Sequence, residues 1–143
     1  MITTLVNINL INLNLQATTK DGVFSELADM LLENNRINNK ENFLTGIYER
    51  EAQCVTSDMG IAYPHTKNTS VIKPAIAIGV SKMAIEYGAD DDQPTVFFMI
   101  ASPESGDHHI YALQALFEKF GDDLIADMQK ATTEQQILDL LTN

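Results

Sequence analysis

The sequence predicts an α/β protein of three layers, in which a mixed β-sheet is flanked by helices on both faces. Two near-continuous runs of β-branched and aromatic residues, 75–80 and 95–101, are typical of strands that are covered on both sides. Segments with helical spacing of apolar residues precede and follow these runs, and such an order favours a sheet between helices. At 143 residues the chain has the length of one domain, so we expect residues 1–143 to form a single domain.

A weaker strand signal lies near the N-terminus. Residues 8–15 alternate aliphatic side chains with asparagines, which predicts a short or edge strand. Between the two strong strands, residues 87–94 contain a glycine, a proline and three consecutive aspartates, Asp90, Asp91 and Asp92. This composition predicts a solvated turn rather than a metal-binding cluster.

Two helices are predicted in the first half of the chain. Thr18 or Thr19 can cap the first helix, whose apolar residues recur at helical spacing until residues 34–35. Asn39 can cap the second helix, which has an apolar side and carries the pair Arg50 and Glu51 at its C-terminal end. A loop is then expected to lead towards residue 65.

The last third of the chain predicts three helices. The first begins near Asp107 and ends at Gly121, and five apolar residues form one stripe along it: Ile110, Leu113, Leu116, Phe117 and Phe120. Two shorter helices follow. Thr133 and Gln136 have the spacing of a capping box at the start of the final one.

Charge and composition exclude several classes of protein. Twenty acidic and nine basic residues give a net charge of −11, which disfavours binding to nucleic acid or to anionic lipid. The longest apolar run, 96–101, is far shorter than the ~20 residues that cross a bilayer, and residues 1–4 lack a basic signal-peptide start. We therefore expect a cytoplasmic protein without membrane insertion. The single cysteine, Cys54, agrees with a reducing compartment.

The candidate functional residues are histidines. His65 follows a proline at the end of a short apolar run, and His108 and His109 open the helix predicted from Asp107. Neutral imidazole is a nucleophile that can accept a phosphoryl group and pass it on. Arg50 can bind phosphate oxygens through two N–H groups, and the first turn of a helix offers free backbone N–H groups to an anion. These residues could form a site for phosphoryl transfer.

Other interpretations of these residues remain open from spacing alone. A histidine after a proline in a loop is often an ordinary exposed residue, and Arg50 with Glu51 at a helix end is often a surface ion pair. His108 and His109 are adjacent, so on a helix they point about 100° apart and only one can face a given site. A metal-binding hydrolase that uses His65 and His109 is a weaker alternative, because no carboxylate has the spacing of a known metal motif.

Several segments together closely resemble one known family. They are Arg-Glu-Ala-Gln at 50–53, Gly-Ile-Ala-Tyr-Pro-His at 60–65, Pro-Ala-Ile-Ala-Ile at 74–78 and His-Ile-Tyr-Ala-Leu at 109–113. The chain resembles, over nearly its whole length, the enzyme IIA domain of the fructose/mannitol class (type 2) of the phosphoenolpyruvate-dependent sugar phosphotransferase system. Residues 54–59 depart from the family: the loop is one residue shorter and lacks the usual glycine-rich arrangement. Thr66 stands where many members have glycine.

The resemblance implies roles for three residues. His65 ends the Ala-x-Pro-His run, so it would be the phosphorylated histidine. Arg50 would lie beside it and stabilise charge, and His109 would support the phosphoryl group, which leaves His108 as a bystander. No metal or organic cofactor is implied.

The resemblance also implies partners and an activity. The chain would act as a protein-histidine phosphotransferase in sugar uptake. It would accept a phosphoryl group from the phosphocarrier HPr and pass it to a cysteine of enzyme IIB, which serves the membrane unit IIC. The acidic surface would suit a basic patch around the HPr histidine. Cys54 would not be the IIB cysteine, and we expect no IIB domain in this chain. The alternative is a regulatory module of the nitrogen-related type, whose phosphorylation state a partner senses.

Overall fold

The computed structural model describes residues 2–89 and 92–142. A 3₁₀ turn at Ile8–Leu10 precedes the first strand. In chain order the elements are helix α1 (Ile2–Leu5), strand β1 (Ile11–Asn12), helices α2 (Lys20–Glu33) and α3 (Lys40–Gln53), strands β2 (Ser57–Asp58), β3 (Ile61–Ala62), β4 (His65–Lys67), β5 (Ala75–Val80) and β6 (Val96–Ser102), and helices α4 (His108–Phe117), α5 (Asp122–Lys130) and α6 (Glu134–Thr142).

The strands form a mixed sheet in the order β1-β5-β6-β3-β2, and β4 also pairs with β6. Strands β5 and β6 are antiparallel neighbours, and every residue in both is buried. Strand β1 runs parallel to β5 at one edge, while β3 and β4 run parallel to β6. The predicted central strands and the predicted short edge strand are thus confirmed, although only residues 11 and 12 of the segment 8–15 are extended in the sheet.

Strand β6 shows why helices lie on both faces of the sheet. Its side chains alternate between the two faces, so Phe97 and Met99 join the core beneath α2 and α3. Phe98 and Ile100 join the opposite core, which α1, α4, α5 and α6 cover. The predicted three-layer α/β/α fold is confirmed. Across the described residues, no helix is long and apolar enough to cross a membrane.

Local capping signals placed three helix starts correctly. The Thr19 hydroxyl caps α2 by accepting a hydrogen bond from the amide of Gly22 at 3.1 Å. Asn39 caps α3 with its side-chain oxygen. Before α6, Gln136 donates its amide to the Thr133 hydroxyl at 3.2 Å and accepts the Thr133 amide at 3.3 Å. These bonds satisfy helix N–H groups that lie within a few residues of the cap in the sequence. The capping pattern alone was therefore sufficient to predict where these helices begin.

The predicted core stripe of α4 is confirmed only in part: Leu116 is buried, and Leu113 and Phe120 are partly buried against the same core. Ile110 and Phe117 are 45% and 48% exposed, whereas Ala112 and Leu116 are buried. The apolar residues of this helix form more than one stripe, and the structure buries the one that contains the small Ala112. The helix also ends at Phe117, and Gly121 instead precedes α5 as its N-cap.

The segment before residue 65 is not the simple loop predicted from sequence. Strands β2 and β3 form a hairpin whose two turn residues, Met59 and Gly60, have positive φ angles of 53° and 84°. Two such residues give the turn a twist that suits a tight antiparallel hairpin. Asp92 holds the hairpin by accepting hydrogen bonds from Ser57 and from the Gly60 amide. Asp90 and Asp91, which were predicted to lie in the same turn, lie outside the described residues.

Gly46 allows α3 to approach β4 closely. A Cβ at this position would lie 2.6 Å from the Thr66 hydroxyl oxygen and 2.7 Å from the Asn68 side-chain nitrogen. Only hydrogen fits in that space. Arg50 follows Gly46 by four residues, about one helical turn, so it lies on the same side of α3. The close contact therefore brings Arg50 to the start of β4, where His65 lies.

We expect Gly46→Ala to reduce the free energy of unfolding by roughly 1–3 kcal/mol, because the added methyl group overpacks the contact between α3 and β4. Urea denaturation measures this change. Thr45→Ala is the matched control, since Thr45 is exposed on the same helix and should change stability by less than about 0.5 kcal/mol. A Gly46→Ala protein as stable as the parent would contradict the close contact.

Candidate functional site

The three residues proposed from the sequence meet in one depression. It has a volume of about 260 Å³ and lies between α3, β4 and the start of α4. His65, Arg50 and His109 all line it, whereas His108 does not. The full lining is Gly46, Glu49, Arg50, Gln53, His65, Thr66, Lys67 and His109.

His65 is held in one orientation and one tautomer. It begins strand β4 and is only 7% exposed. Its Nδ1 lies 2.9 Å from the carbonyl oxygen of Tyr63. A carbonyl oxygen can only accept a hydrogen bond, so Nδ1 carries the proton. Nε2 then has a free lone pair, to which Arg50 Nε donates at 3.2 Å. Of the two ring nitrogens, Nε2 is therefore the one that has a lone pair.

Arg50 and Glu51 do not form the surface ion pair considered from the sequence. Arg50 lies in the last turn of α3 and also donates from Nη1 to the carbonyl oxygen of Cys54 at 3.0 Å. The Glu51 side chain is buried, and its Oε1 lies 3.0 Å from the ammonium nitrogen of Lys20. The two neighbouring side chains therefore make contacts in different places: Arg50 contacts His65, and Glu51 contacts Lys20 in the interior.

His109 lies in the first turn of α4 with its ring almost parallel to that of His65. The ring centroids are 6.0 Å apart, and the planes differ by 17°. Its Nδ1 is buried and has no hydrogen-bond partner among the described residues. An unpaired buried acceptor is tolerated better than an unpaired buried N–H donor. We therefore expect the proton on Nε2, where His109 can act as a hydrogen-bond donor.

Both imidazoles are kept neutral by their surroundings. Burial lowers the pKa of His65, and the positive charges of Arg50 and of a protonated His109 lower it further. The bond to the Tyr63 carbonyl opposes these effects only in part. Burial likewise lowers the pKa of His109. Lowered pKa values favour the uncharged rings, so the lone pair on His65 Nε2 persists to lower pH than in an ordinary histidine.

Comparison with known proteins decides the family. The profile of the family described as "Phosphoenolpyruvate-dependent sugar phosphotransferase system, EIIA 2" matches residues 4–143. The chain belongs to this family. The resemblance stated from the sequence is thereby confirmed.

Named relatives in other organisms agree with this assignment. The chain is 31% identical to the fructose-specific EIIA component of Haloferax volcanii, with 98% of this chain and 94% of the relative covered. It is 34% identical to the fructose-specific EIIABC component of Bacillus subtilis. That match covers 98% of this chain but only 23% of the longer relative.

Solved structures share the fold of this EIIA chain. The IIA mannitol structure from Escherichia coli superposes with a TM-score of 0.82 at 20% identity, covering 96% of this chain and 99% of the other. The nitrogen regulatory protein IIA-Ntr from Neisseria meningitidis gives 0.83 at 19% identity, with 97% of each chain covered. At these identities the likeness concerns the fold.

Other residues at the site of this EIIA chain escaped the sequence analysis. Lys67 adds a second cation to the depression and forms an ion pair with Asp107 at 3.3 Å. The Tyr63 carbonyl fixes the His65 tautomer, but a main-chain acceptor leaves no residue-type signal. The two-residue offset from His65 to Lys67 could have indicated that both lie on one side of a strand, had β4 been recognised.

Across residues 2–89 and 92–142, no three histidine, cysteine, aspartate or glutamate side chains converge as the ligands of a metal ion would. The single cysteine, Cys54, is exposed at the end of α3. Its carbonyl, rather than its thiol, contacts the site through Arg50.

We expect the His65 imidazole to titrate below about pH 6.5, the midpoint of an unperturbed histidine. As the pH falls through the lowered pKa, Nε2 takes a proton and the nucleophile is lost. Arg50→Gln removes a cation that lowers the pKa, so the midpoint should rise, whereas Arg36→Gln should leave it unchanged. NMR of the His65 Cε1–H group against pH measures both shifts. A midpoint at or above 6.5 in the unmodified protein would contradict the burial argument.

Proposed function

We propose that this chain carries a phosphoryl group on Nε2 of His65, taking it from the phosphohistidine of HPr and giving it to a cysteine of enzyme IIB. The observation that carries the proposal is the unprotonated Nε2, whose lone pair accepts a hydrogen bond from Arg50 in a depression also lined by His109. The membership in the EIIA family supplies the reaction class. We propose that residues 1–143 act as one domain in this step.

Uptake of the group needs no proton transfer at His65. The lone pair of Nε2 forms the new N–P bond while the N–P bond of the donor breaks, and the donor nitrogen recovers its electron pair. The proton stays on Nδ1, which keeps its hydrogen bond to the Tyr63 carbonyl. Because the attacking tautomer is already present, the protein mainly needs to align the donor and stabilise the transferring oxygens.

Arg50 has to change partners during the step. In the free protein its Nε–H group occupies the Nε2 lone pair, which must be released before the N–P bond can form. The guanidinium has five N–H groups in a fixed plane, and these match phosphate oxygens well. A short rotation of the side chain would move its hydrogen bond from the nitrogen to the incoming oxygens.

The start of α4 supplies further stabilisation. His109 lies in the first turn, where backbone N–H groups lack helical partners and favour an anion. Its Nε2–H group can donate to a phosphoryl oxygen, since the buried Nδ1 without a partner favours the proton on Nε2. Lys67 adds positive charge at the rim. These groups compensate the spread negative charge of the transferring group.

The surface beside the site suits a protein partner. Met59 and Phe117 are 55% and 48% exposed, and with Asp58, Tyr63 and Phe120 they line a hollow of about 320 Å³. Tyr63 packs edge-on against Phe117, with ring centroids 5.2 Å apart. Exposed apolar groups rimmed by charge are typical of interaction surfaces. The net charge of −11 would favour a partner with a basic contact face.

Delivery reverses the chemistry of uptake. The thiolate of enzyme IIB forms an S–P bond, the N–P bond at His65 breaks, and Nε2 regains its electron pair and its bond from Arg50. Support for this acceptor comes from a solved complex of enzyme IIA mannitol with phosphorylated enzyme IIB mannitol from Escherichia coli, which shares the fold. Since the Haloferax and Bacillus relatives are named for fructose, a fructose IIB is the first acceptor to test.

We expect incubation with phosphoenolpyruvate, enzyme I and HPr to add one phosphate to this chain, stable to alkali and labile to acid, and His65→Ala to abolish it. Intact-protein mass spectrometry measures the uptake. His108→Gln is the matched control and should be phosphorylated normally. Label on the His65→Ala protein would refute the assignment. Label on the parent that no IIB removes would fit the regulatory alternative instead.

Removal of the stabilising groups should slow transfer rather than weaken docking. We expect Arg50→Gln and His109→Ala to reduce the single-turnover rate by about 100-fold each, the usual effect of losing one donor to a developing anion. Affinity for HPr, measured by titration calorimetry, should change less than threefold in both variants. Equal losses of rate and affinity would show that these residues serve binding instead.

A further inference from the structure

A buried polar cluster lies behind the phosphoryl site, centred on Glu51. Its Oε1 pairs with the Lys20 ammonium at 3.0 Å, and its Oε2 accepts a hydrogen bond from the Thr56 hydroxyl. The Thr56 hydroxyl oxygen lies 3.0 Å from the Tyr87 hydroxyl, and Lys20 also donates to the Tyr87 carbonyl at 2.9 Å. Glu51, Thr56 and Tyr87 are all buried. None of these four side chains touches the depression.

Hydrogen bonds connect this cluster to the reactive imidazole. The Thr56 carbonyl accepts the amide of Tyr63 at 2.9 Å. The Tyr63 carbonyl then accepts a hydrogen bond from the Nδ1–H group of His65, also at 2.9 Å. The path from carboxylate to imidazole thus runs from Glu51 through Thr56 and Tyr63 to His65. Each bond in it fixes the orientation of the next peptide or side chain.

Arg50 and Glu51, at the C-terminal end of α3, hold the two ends of the turn that follows this helix. Arg50 donates to the Cys54 carbonyl at 3.0 Å, and Glu51 accepts the Thr56 hydroxyl two residues later. The chain from α3 to the hairpin is therefore fixed with respect to the helix that also supplies Arg50 to Nε2. Displacement of Thr56 would move the Tyr63 carbonyl away from Nδ1, because the Tyr63 amide is bonded to Thr56.

We propose that Thr56, held by the buried Glu51, is a positioning residue that keeps His65 in the Nδ1–H tautomer. The inference rests on the proposed function, since it concerns the atom that attacks phosphorus. Without this restraint the Nδ1 proton loses its fixed acceptor, and the Nε2–H tautomer gains population. In that tautomer Nε2 has no lone pair, and Nδ1 becomes the nucleophile.

Thr56→Val tests the proposal, since it removes the hydroxyl and preserves the shape of the side chain. We expect the ratio of Nδ1–H to Nε2–H tautomer at His65 to fall about tenfold, the effect of losing the net contribution of one hydrogen bond to a charged group. Long-range ¹H–¹⁵N NMR of the imidazole in the unphosphorylated protein measures it. Thr56→Ser retains the hydroxyl and should restore the parent ratio.

Tyr87→Phe is the matched control for a merely structural role. It removes a hydroxyl from the same cluster but leaves the path from Glu51 to His65 intact. We expect it to lower the thermal midpoint without changing the tautomer ratio. If folded Thr56→Val has the parent ratio, or if Tyr87→Phe shifts the ratio as much as Thr56→Val, the positioning role is overturned. Should Thr56→Val not fold, Glu51→Leu decides, because leucine offers the Thr56 hydroxyl no acceptor: a lowered ratio supports the role, and the parent ratio overturns it.

The position of the phosphate gives a second measurement that is independent of any partner. Phosphoramidate, a small donor that releases ammonia as its N–P bond breaks, should label Nε2 in the parent and partly Nδ1 in Thr56→Val. Exclusive Nε2 labelling of the variant would overturn the inference. Because neither measurement uses HPr, failure of HPr to phosphorylate the parent would refute the proposed relay while leaving the tautomer result standing.

Discussion

The close packing of α3 against β4 is the contact on which the site depends, because it joins two groups that are separated in sequence. Hydrogen at Gly46 lets the helix lie against Thr66, and one turn later Arg50 reaches the imidazole of His65. Strand β4 in turn is fixed by parallel pairing with β6 at the centre of the sheet. The distance between the Arg50 guanidinium and the His65 imidazole is therefore set by the core of the protein.

Burial favours the neutral form of the His65 imidazole, and hydrogen bonds select its tautomer and orientation. A histidine that is 7% exposed loses solvation of its charged form, so the neutral ring is favoured. The carbonyl of Tyr63 then selects which nitrogen keeps the proton. For the proposed phosphoryl transfer neither effect alone would suffice, since a neutral ring in the wrong tautomer would present a hydrogen rather than a lone pair to phosphorus. The site needs both a dry environment and a fixed acceptor.

Much of the fold could be predicted because its signals are local. Caps such as Thr19 and Asn39 act within three residues, and the two central strands are apolar throughout. The short strands around His65 could not be predicted, because two or three residues show no periodicity and their pairing with β6 joins residues 35 positions apart. The choice of buried side on α4 likewise depended on the surface it meets.

At the site, too, some features could be identified from the sequence, whereas others depend on tertiary packing. His65, Arg50 and His109 were selected through a whole-chain resemblance, and the structure brings them to one depression. The burial of Glu51 was not visible from the sequence, because a glutamate next to an arginine at a helix end normally faces solvent. Only the tertiary packing of Lys20, Thr56 and Tyr87 around it makes burial of that carboxylate tolerable.

In the proposed relay, His65 must release its phosphoryl group as readily as it accepts it, and the bonding of Arg50 suits that requirement. In the free state the guanidinium already has a partner in the Nε2 lone pair, so bonds to phosphate oxygens are gained only by giving one up. The net preference for the phosphorylated state is smaller than the gross strength of those bonds, because one hydrogen bond is exchanged for others. An arginine left unpaired in the free state would bind the phosphoryl group more tightly and would slow its departure to the acceptor.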